Sequence, residues 1–381
     1  RKSSSDHSGD YWWIGIRSGS YHFLSTKVRV KDMKEVTDIL LKAIEEGSFP
    51  GASYAIVNES GFMDLETLGY FRLFPEKELN RDDVIYDVAS LTKVISTTTM
   101  IMKLIEDGLI HLHTPVKDIL PEFKHHAITV YHLLTHTSGL PADIKRAYTL
   151  KSRDEVVEKV FSADLIHAVG EKIIYSDIGF ILLGFMIERL TKKKLSEFAD
   201  EVIFKPLGMN DTGYYPIKER TAPTELRQDE VYSGYLQGLV HDEKSFALGG
   251  EAGHAGLFST AKDIGLFMQR ILKGKFVLKQ ETLDLLFPVR EERILEDGTH
   301  LARSLGWDKP TGRSSAGMYV DFDETIMHTG FTGCNMFIDR KHDIGFVMLS
   351  NDVHPTRLTK GILKLRHDIS NVVVLKKGSR L

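Results

Sequence analysis

Two serines in this chain of 381 residues are followed three positions later by a lysine: Ser90-Leu91-Thr92-Lys93 and Ser259-Thr260-Ala261-Lys262. Residues three apart share one face of a helix, so a lysine at that spacing reaches the serine hydroxyl. Lysine is a poor base at its reference pKa of about 10.4. Burial and a helix N-terminus lower that value and would turn Lys93 into a proton acceptor. The same N-terminus offers free backbone N–H groups to a developing oxyanion. The chemistry on offer is acyl transfer through an activated serine.

The two serines are not equivalent. Thr260 and Asp263 have capping-box spacing ahead of the amphipathic run Ile264, Phe267, Met268, Ile271, which makes Lys262 a first-turn surface residue. Lys93 instead opens a segment apolar nearly all round: Val94, Ile95, three threonines, then Met100, Ile101, Met102 and Leu104. A lysine buried there is expensive unless it has a task. Ser90 is therefore the candidate nucleophile.

Partners are needed. Tyr175-Ser176-Asp177 lies in a polar loop just ahead of an apolar helical stretch that starts near Gly179. A tyrosine beside a lysine is suited to general-base work. His328-Thr329-Gly330 precedes the apolar run that begins at Cys334. A hydrogen-bonding residue on an edge strand, followed by Thr-Gly, lets the backbone approach a substrate carbonyl or carboxylate, because glycine lacks the Cβ that would block it.

Taken in order, these three motifs resemble the serine β-lactamase and penicillin-binding-protein superfamily, especially its class C-like branch with esterases and D-amino-acid-specific peptidases. Longer stretches are similar too: Leu133-Leu134-Thr135-His136-Thr137-Ser138-Gly139-Leu140, Gly253-His254-Ala255-Gly256-Leu257-Phe258-Ser259-Thr260 and Leu305-Gly306-Trp307. The resemblance covers roughly residues 35 to 375. It implies that Ser90 is acylated, that Lys93 and Tyr175 share the proton transfers, and that His328 and Thr329 line an edge strand. It further implies an oxyanion hole built from the N–H of Ser90 and of Phe331, the residue after Gly330. Asp177 stands where the lactamases have asparagine, and His328 where they have lysine. An ionised aspartate cannot donate to a β-lactam side-chain amide, and histidine is charged only part of the time near neutral pH. Both departures point to an esterase or peptidase-like hydrolase with weak or no β-lactamase activity. The alternatives are a β-lactamase, a D-alanyl-D-alanine carboxypeptidase or D-aminopeptidase, and an inactive binding or scaffold protein.

The elements that must position these groups follow from periodicity. Val36, Ile39, Leu40, Ala43 and Ile44 recur at helical spacing and Gly47 stops the run. Strands are expected at Gly51–Asn58 and Phe62–Tyr70, then at Cys334–Asp339 and Ile344–Leu349. Helices are expected at Leu91–Glu106, Tyr131–Leu134, Arg153–Phe161, Gly179–Leu190, Leu195–Ile203 and Ala261–Leu272. A last helix after Pro355 carries Leu358, Ile362, Leu365 and Ile369 on one face. The expected fold is mixed α/β (α+β) of the β-lactamase/transpeptidase type. Its antiparallel sheet comes from both chain ends and is flanked by helices, around a mainly helical inserted domain. Residues 31–75 plus 290–381 form the sheet domain and 76–289 the helical one, with the site in the cleft between them. Residues 1–30 read as an N-terminal arm.

The bulk numbers exclude some functions. A formal net charge of -4 gives no footing for nucleic acid or an anionic membrane. One cysteine, Cys334, permits no intrachain disulfide. No apolar run is long enough to cross a bilayer and no signal peptide is visible, which fits a cytoplasmic or exported protein. No Gly-x-Ser-x-Gly elbow occurs. The histidines His111, His113, His125, His126, His132 and His136 raise a metal-dependent rival, but no His-Glu-x-x-His motif supports it, so no metal or other cofactor is expected. The expected partner is a small ester, amide or peptide substrate.

Overall fold

A computed structural model describes residues 33–358 and 361–378. The arm expected over residues 1–30 lies outside the described residues. Helix α1 (Lys34–Glu45) buries Val36, Leu40, Ala43 and Ile44, as its spacing requires. The chain then forms β1 (Gly51–Asn58), β2 (Gly61–Arg72) and the two-residue β3 (Glu78–Leu79). After the central region it returns as β4 (Thr325–Thr329), β5 (Asn335–Asp339) and β6 (Ile344–Ser350). These make one six-stranded antiparallel sheet in the order β4-β5-β6-β1-β2-β3. The seam between the two chain ends is the β1–β6 pair, which runs from Ala52 opposite Ser350 to Val57 opposite Gly345.

Both faces of the sheet are covered, so β1 and β6 are buried almost throughout. On one face Ala52, Tyr54, Ile56, Phe337, Phe346 and Met348 pack with α1 and with the last helix, residues 361–378. On the other, Ala55, Val57, Met336, Val347 and Leu349 join the large core of the helical region. The period-two alternation of a strand sorts these side chains between the two cores. Within the last helix Ile362, Ile369 and Val373 are buried, whereas Leu358 precedes it and is exposed, so it is not part of that apolar face.

In the central region a π-helical turn, Lys93–Thr98, runs into α2 (Thr99–Glu106), and α3 spans Asp177–Thr191. Helix α4 (Ala261–Leu272) lies directly on the sheet. Its Gly265 permits that closeness: a Cβ there would come within 2.5 Å of the Phe62 ring. Thr260 caps α4 by accepting from the Asp263 N–H, Ser259 bonds Thr212 instead, and Lys262 is exposed. The second Ser-x-x-Lys is a helix start. A short strand at β4, a hairpin over Glu291–Ile294 and His300–Arg303, and a two-residue pairing of Tyr86–Asp87 with Phe258–Ser259 are elements the periodicity did not show.

Candidate active site

The turn into the first buried helix is held from two sides. Tyr86–Asp87 pairs with Phe258–Ser259, and the Val88 N–H donates to the Leu257 carbonyl. The buried Asp87 carboxylate accepts from the Ala89 N–H at 2.8 Å and from the His241 N–H at 2.7 Å. Between them Ala89 adopts φ +47°, a left-handed conformation that a non-glycine residue holds only when its surroundings impose it. That kink delivers Ser90 to the floor of a cavity of about 530 Å³.

Lys93 is fully buried behind Ser90. Its ammonium donates to Ser90 Oγ at 3.0 Å and to the His254 carbonyl at 3.1 Å, and pairs with Asp177 Oδ1 at 2.8 Å. Tyr175 is a further hydrogen-bonding neighbour, so the three ammonium protons are shared among four groups. The sequence led us to expect that burial depresses the Lys93 pKa. Burial does pull it down, but Asp177 and Tyr175 outweigh it, and Lys93 holds its proton more firmly than an ordinary lysine. The reason is a counter-charge at contact distance, invisible until the fold supplies it.

Ser176 caps α3, its hydroxyl accepting from the Gly179 N–H and donating to the Pro141 carbonyl, while its N–H donates to His136 Nδ1. The cap turns Tyr175 and Asp177 toward the cavity on either side of it. The Tyr175 ring lies 4.8 Å from Lys93 Nζ, with His136 and His328 packed on it at 4.7 and 5.9 Å. His136 is thus a structural hydrogen-bonder, as its motif suggests. Burial pushes the Asp177 carboxyl up, yet Lys93, His254 and Lys244 pull it below the ordinary range.

His328 sits on β4, at the edge of the six-stranded sheet. Its Nδ1–H donates to the Thr329 carbonyl at 2.9 Å, so Nε2 carries the bare lone pair. Burial, reinforced by Lys93 and Arg303, pushes its pKa down to about 3. The expectation of a part-time cation is therefore corrected: this imidazole is neutral throughout the physiological range. Gly330 packs against the turn that carries Ser90, where a Cβ would stand 2.5 Å from the Val88 carbonyl oxygen. Phe331 is 56% exposed at the cavity wall and stacks on His241 at 5.6 Å. Among the described residues, neither the Ser90 nor the Phe331 N–H has a hydrogen-bond acceptor. Trp307 is a core residue, and burial pushes the Cys334 thiol up to about 11.

The cavity also holds groups that the sequence did not single out. Lys244 Nζ meets Asp143 at 2.8 Å, Asp242 at 3.0 Å and the second oxygen of Asp177 at 3.3 Å. Asp242 accepts from His254 Nε2 at 2.7 Å. Asp177, Asp242 and His254 gather atoms of metal-ligand type within 4.8 Å of one another. The Lys244 ammonium already contacts both carboxylates there, so the cationic position is taken. Arg303 and Arg366 line the opposite wall, Arg366 donating to the Gly330 carbonyl at 2.7 Å.

Residues 36–369 match the family model described as Beta-lactamase. The chain is 29% identical over 368 residues to N-acetylmuramyl-L-alanine amidase of Bacillus subtilis (strain 168), covering 85% of this chain and 82% of that one. It is 30% identical over 311 residues to an Escherichia coli (strain K12) protein provisionally described as a D-alanyl-D-alanine carboxypeptidase, covering 71% and 69%. Among solved structures, EstCE1, described as a hydrolase with promiscuous acyltransferase activity, superposes with a TM-score of 0.71 at 20% identity, over 90% of this chain and 99% of that one.

Proposed function

The chain belongs to the Beta-lactamase family, whose members similar to it are serine hydrolases of amide and ester bonds, and from that premise we propose that Ser90 is its acylated nucleophile. The observation that carries the reading is the contact of 3.0 Å from the fully buried Lys93 ammonium to Ser90 Oγ. Because Lys93 is already a full ammonium, the base in this proposal is the phenolate form of Tyr175, held against the Lys93 ammonium, whose oxygen takes the Ser90 proton. The Lys93 ammonium holds the phenolate before the transfer, and the negative charge then passes from Tyr175 to the substrate oxygen. Ser90 Oγ bonds the substrate carbonyl carbon, and the carbonyl oxygen takes the electron pair under the N–H groups of Ser90 and Phe331. Collapse expels the alcohol or amine, which recovers the proton from Tyr175. Water then cleaves the acyl-enzyme by the same route in reverse.

The substrate class we propose is small esters and peptide-like amides, with poor β-lactam turnover. Two observations favour it. Asp177 is occupied by two lysines and donates nothing, and the neutral His328 offers no fixed cation to a β-lactam carboxylate. The test is turnover of p-nitrophenyl butyrate and of nitrocefin by wild type and Ser90→Ala. Ester turnover that falls by about a thousandfold or more in the variant supports the reading. Undiminished ester turnover in Ser90→Ala rejects the nucleophile, and nitrocefin turnover faster than ester turnover rejects the substrate class.

A further inference from the structure

Lys244 belongs to a run, His241-Asp242-Glu243-Lys244, that reads as an ordinary solvated stretch, yet its side chain is only 2% exposed. A buried ammonium is stable only when paired, and this one is shared among three carboxylates. Two of them, Asp177 and Asp242, belong to a closed circuit of ion pairs and hydrogen bonds. Lys93 pairs with Asp177, Asp177 with Lys244 and Lys244 with Asp242. Asp242 then accepts from His254, whose carbonyl accepts from Lys93. Each oxygen of Asp177 therefore carries one lysine.

Building on the Ser90–Lys93 reading above, we propose that Lys244 is a positioning residue of this site. By taking one oxygen of Asp177 it limits the hold of Asp177 on Lys93, and so sets the pH at which Lys93 releases its proton. Without Lys244 the whole carboxylate, together with the unbalanced charge of Asp242 and Asp143, would act on Lys93. The other groups around Lys93 are Tyr175, packed against it with Arg303 over the Tyr175 ring, His254, whose carbonyl Lys93 bonds, and His136 and His328 at longer range. His136 and His328 are neutral, so neither changes charge when Lys244 is replaced.

The test reads the rate at which a fluorophosphonate labels Ser90, followed by intact mass across the neutral and alkaline range. Lys244→Met moves the Lys93 limb of that profile to higher pH by about one to three units. Lys244→Arg keeps the charge and restores the wild-type position, which a merely structural role would not do. Asp143→Asn removes the carboxylate at the cavity mouth, where Asp143 is 53% exposed, frees Lys244 to lean on Asp177, and moves the limb to lower pH. If Ser90 is not labelled in the wild type, the proposed nucleophile is at fault. If Ser90 is labelled and neither Lys244→Met nor Asp143→Asn moves the limb, the role of Lys244 is overturned. Should Lys244→Met fail to fold, the shift in the surface variant Asp143→Asn decides.

Discussion

Replacing Asp177 by asparagine strikes the centre of the charge circuit while keeping its shape. The Lys93–Asp177 contact of 2.8 Å corresponds to about 6 kcal/mol at an effective permittivity of about 20. Opposite charges at this range move a pKa by about one to three units. With a neutral amide at this position, burial of Lys93 is no longer outweighed, and the lysine releases its proton at lower pH. The Lys93 limb of kcat/KM for p-nitrophenyl butyrate should then fall by about one to three units, opposite in direction to Lys244→Met. Stability changes as well. Removing one partner of a buried ion pair costs about 3–5 kcal/mol. At about 2.1 cal/mol/K per residue, the 381 residues give an unfolding entropy of about 0.8 kcal/mol/K, so Tm should drop by about 4–6 °C. The amide also regains a donor, and nitrocefin turnover should rise relative to ester turnover. A profile and a Tm both indistinguishable from wild type would show that Asp177 neither holds Lys93 charged nor supports the fold, and the reasoning here would be refuted.

Gly330→Ala drives a methyl group into the Val88 carbonyl and the Cys334 side chain, so kcat for ester turnover should fall by about a hundredfold, with KM less affected. An unchanged kcat would mean the edge strand does not brace the nucleophile turn. Glu225, bonded to the cavity residues His241 and Arg357, supplies a pH dependence of stability. Burial pushes its carboxyl up, but hydrogen bonds from His241 and Arg357 outweigh it and hold it down to about 2. A depressed acid stabilises the fold above its unfolded value of 4.5, and that contribution is lost as pH falls from there toward 2. About 3 kcal/mol is at stake. Glu225→Gln should therefore flatten the acid side of the Tm–pH curve over this window, and a curve parallel to wild type would remove Glu225 from the account.

What the sequence could disclose was set by how local each signal is. Ser90 and Lys93 stood out because one helical turn joins them and the helix around them is apolar on every side. The Tyr175-Ser176-Asp177 cap and the His328-Thr329-Gly330 strand end are likewise contiguous. The sheet was legible because β1, β2, β5 and β6 are runs rich in apolar residues bounded by turn residues, whereas β4 is short and carries the polar Thr325, His328 and Thr329. Lys244, Asp242 and Asp143 gave no such signal. Their roles exist only as contacts between loops distant in the chain, such as Lys244 with Asp143. The Lys93 proton affinity failed for the same reason: its burial could be inferred locally, but its counter-ion stands on another helix.

The seam of the sheet has a consequence for how the protein is made. Ser350 and Gly51, joined by a hydrogen bond across β6 and β1, are 299 positions apart. During synthesis the ribosome releases β1 and β2 first, then the whole segment bearing Ser90, Lys93, Tyr175 and Asp177, and only after it β4, β5 and β6. Gly330, whose backbone packs beside Val88, and Phe331, with its free N–H, arrive with these strands. A nascent chain thus has Ser90 long before it has Phe331, the two residues whose N–H groups we propose as the oxyanion hole. Closing a loop of this length is slow compared with local helix formation. The site as proposed is therefore complete only once β4, β5 and β6 have joined the sheet begun by β1 and β2.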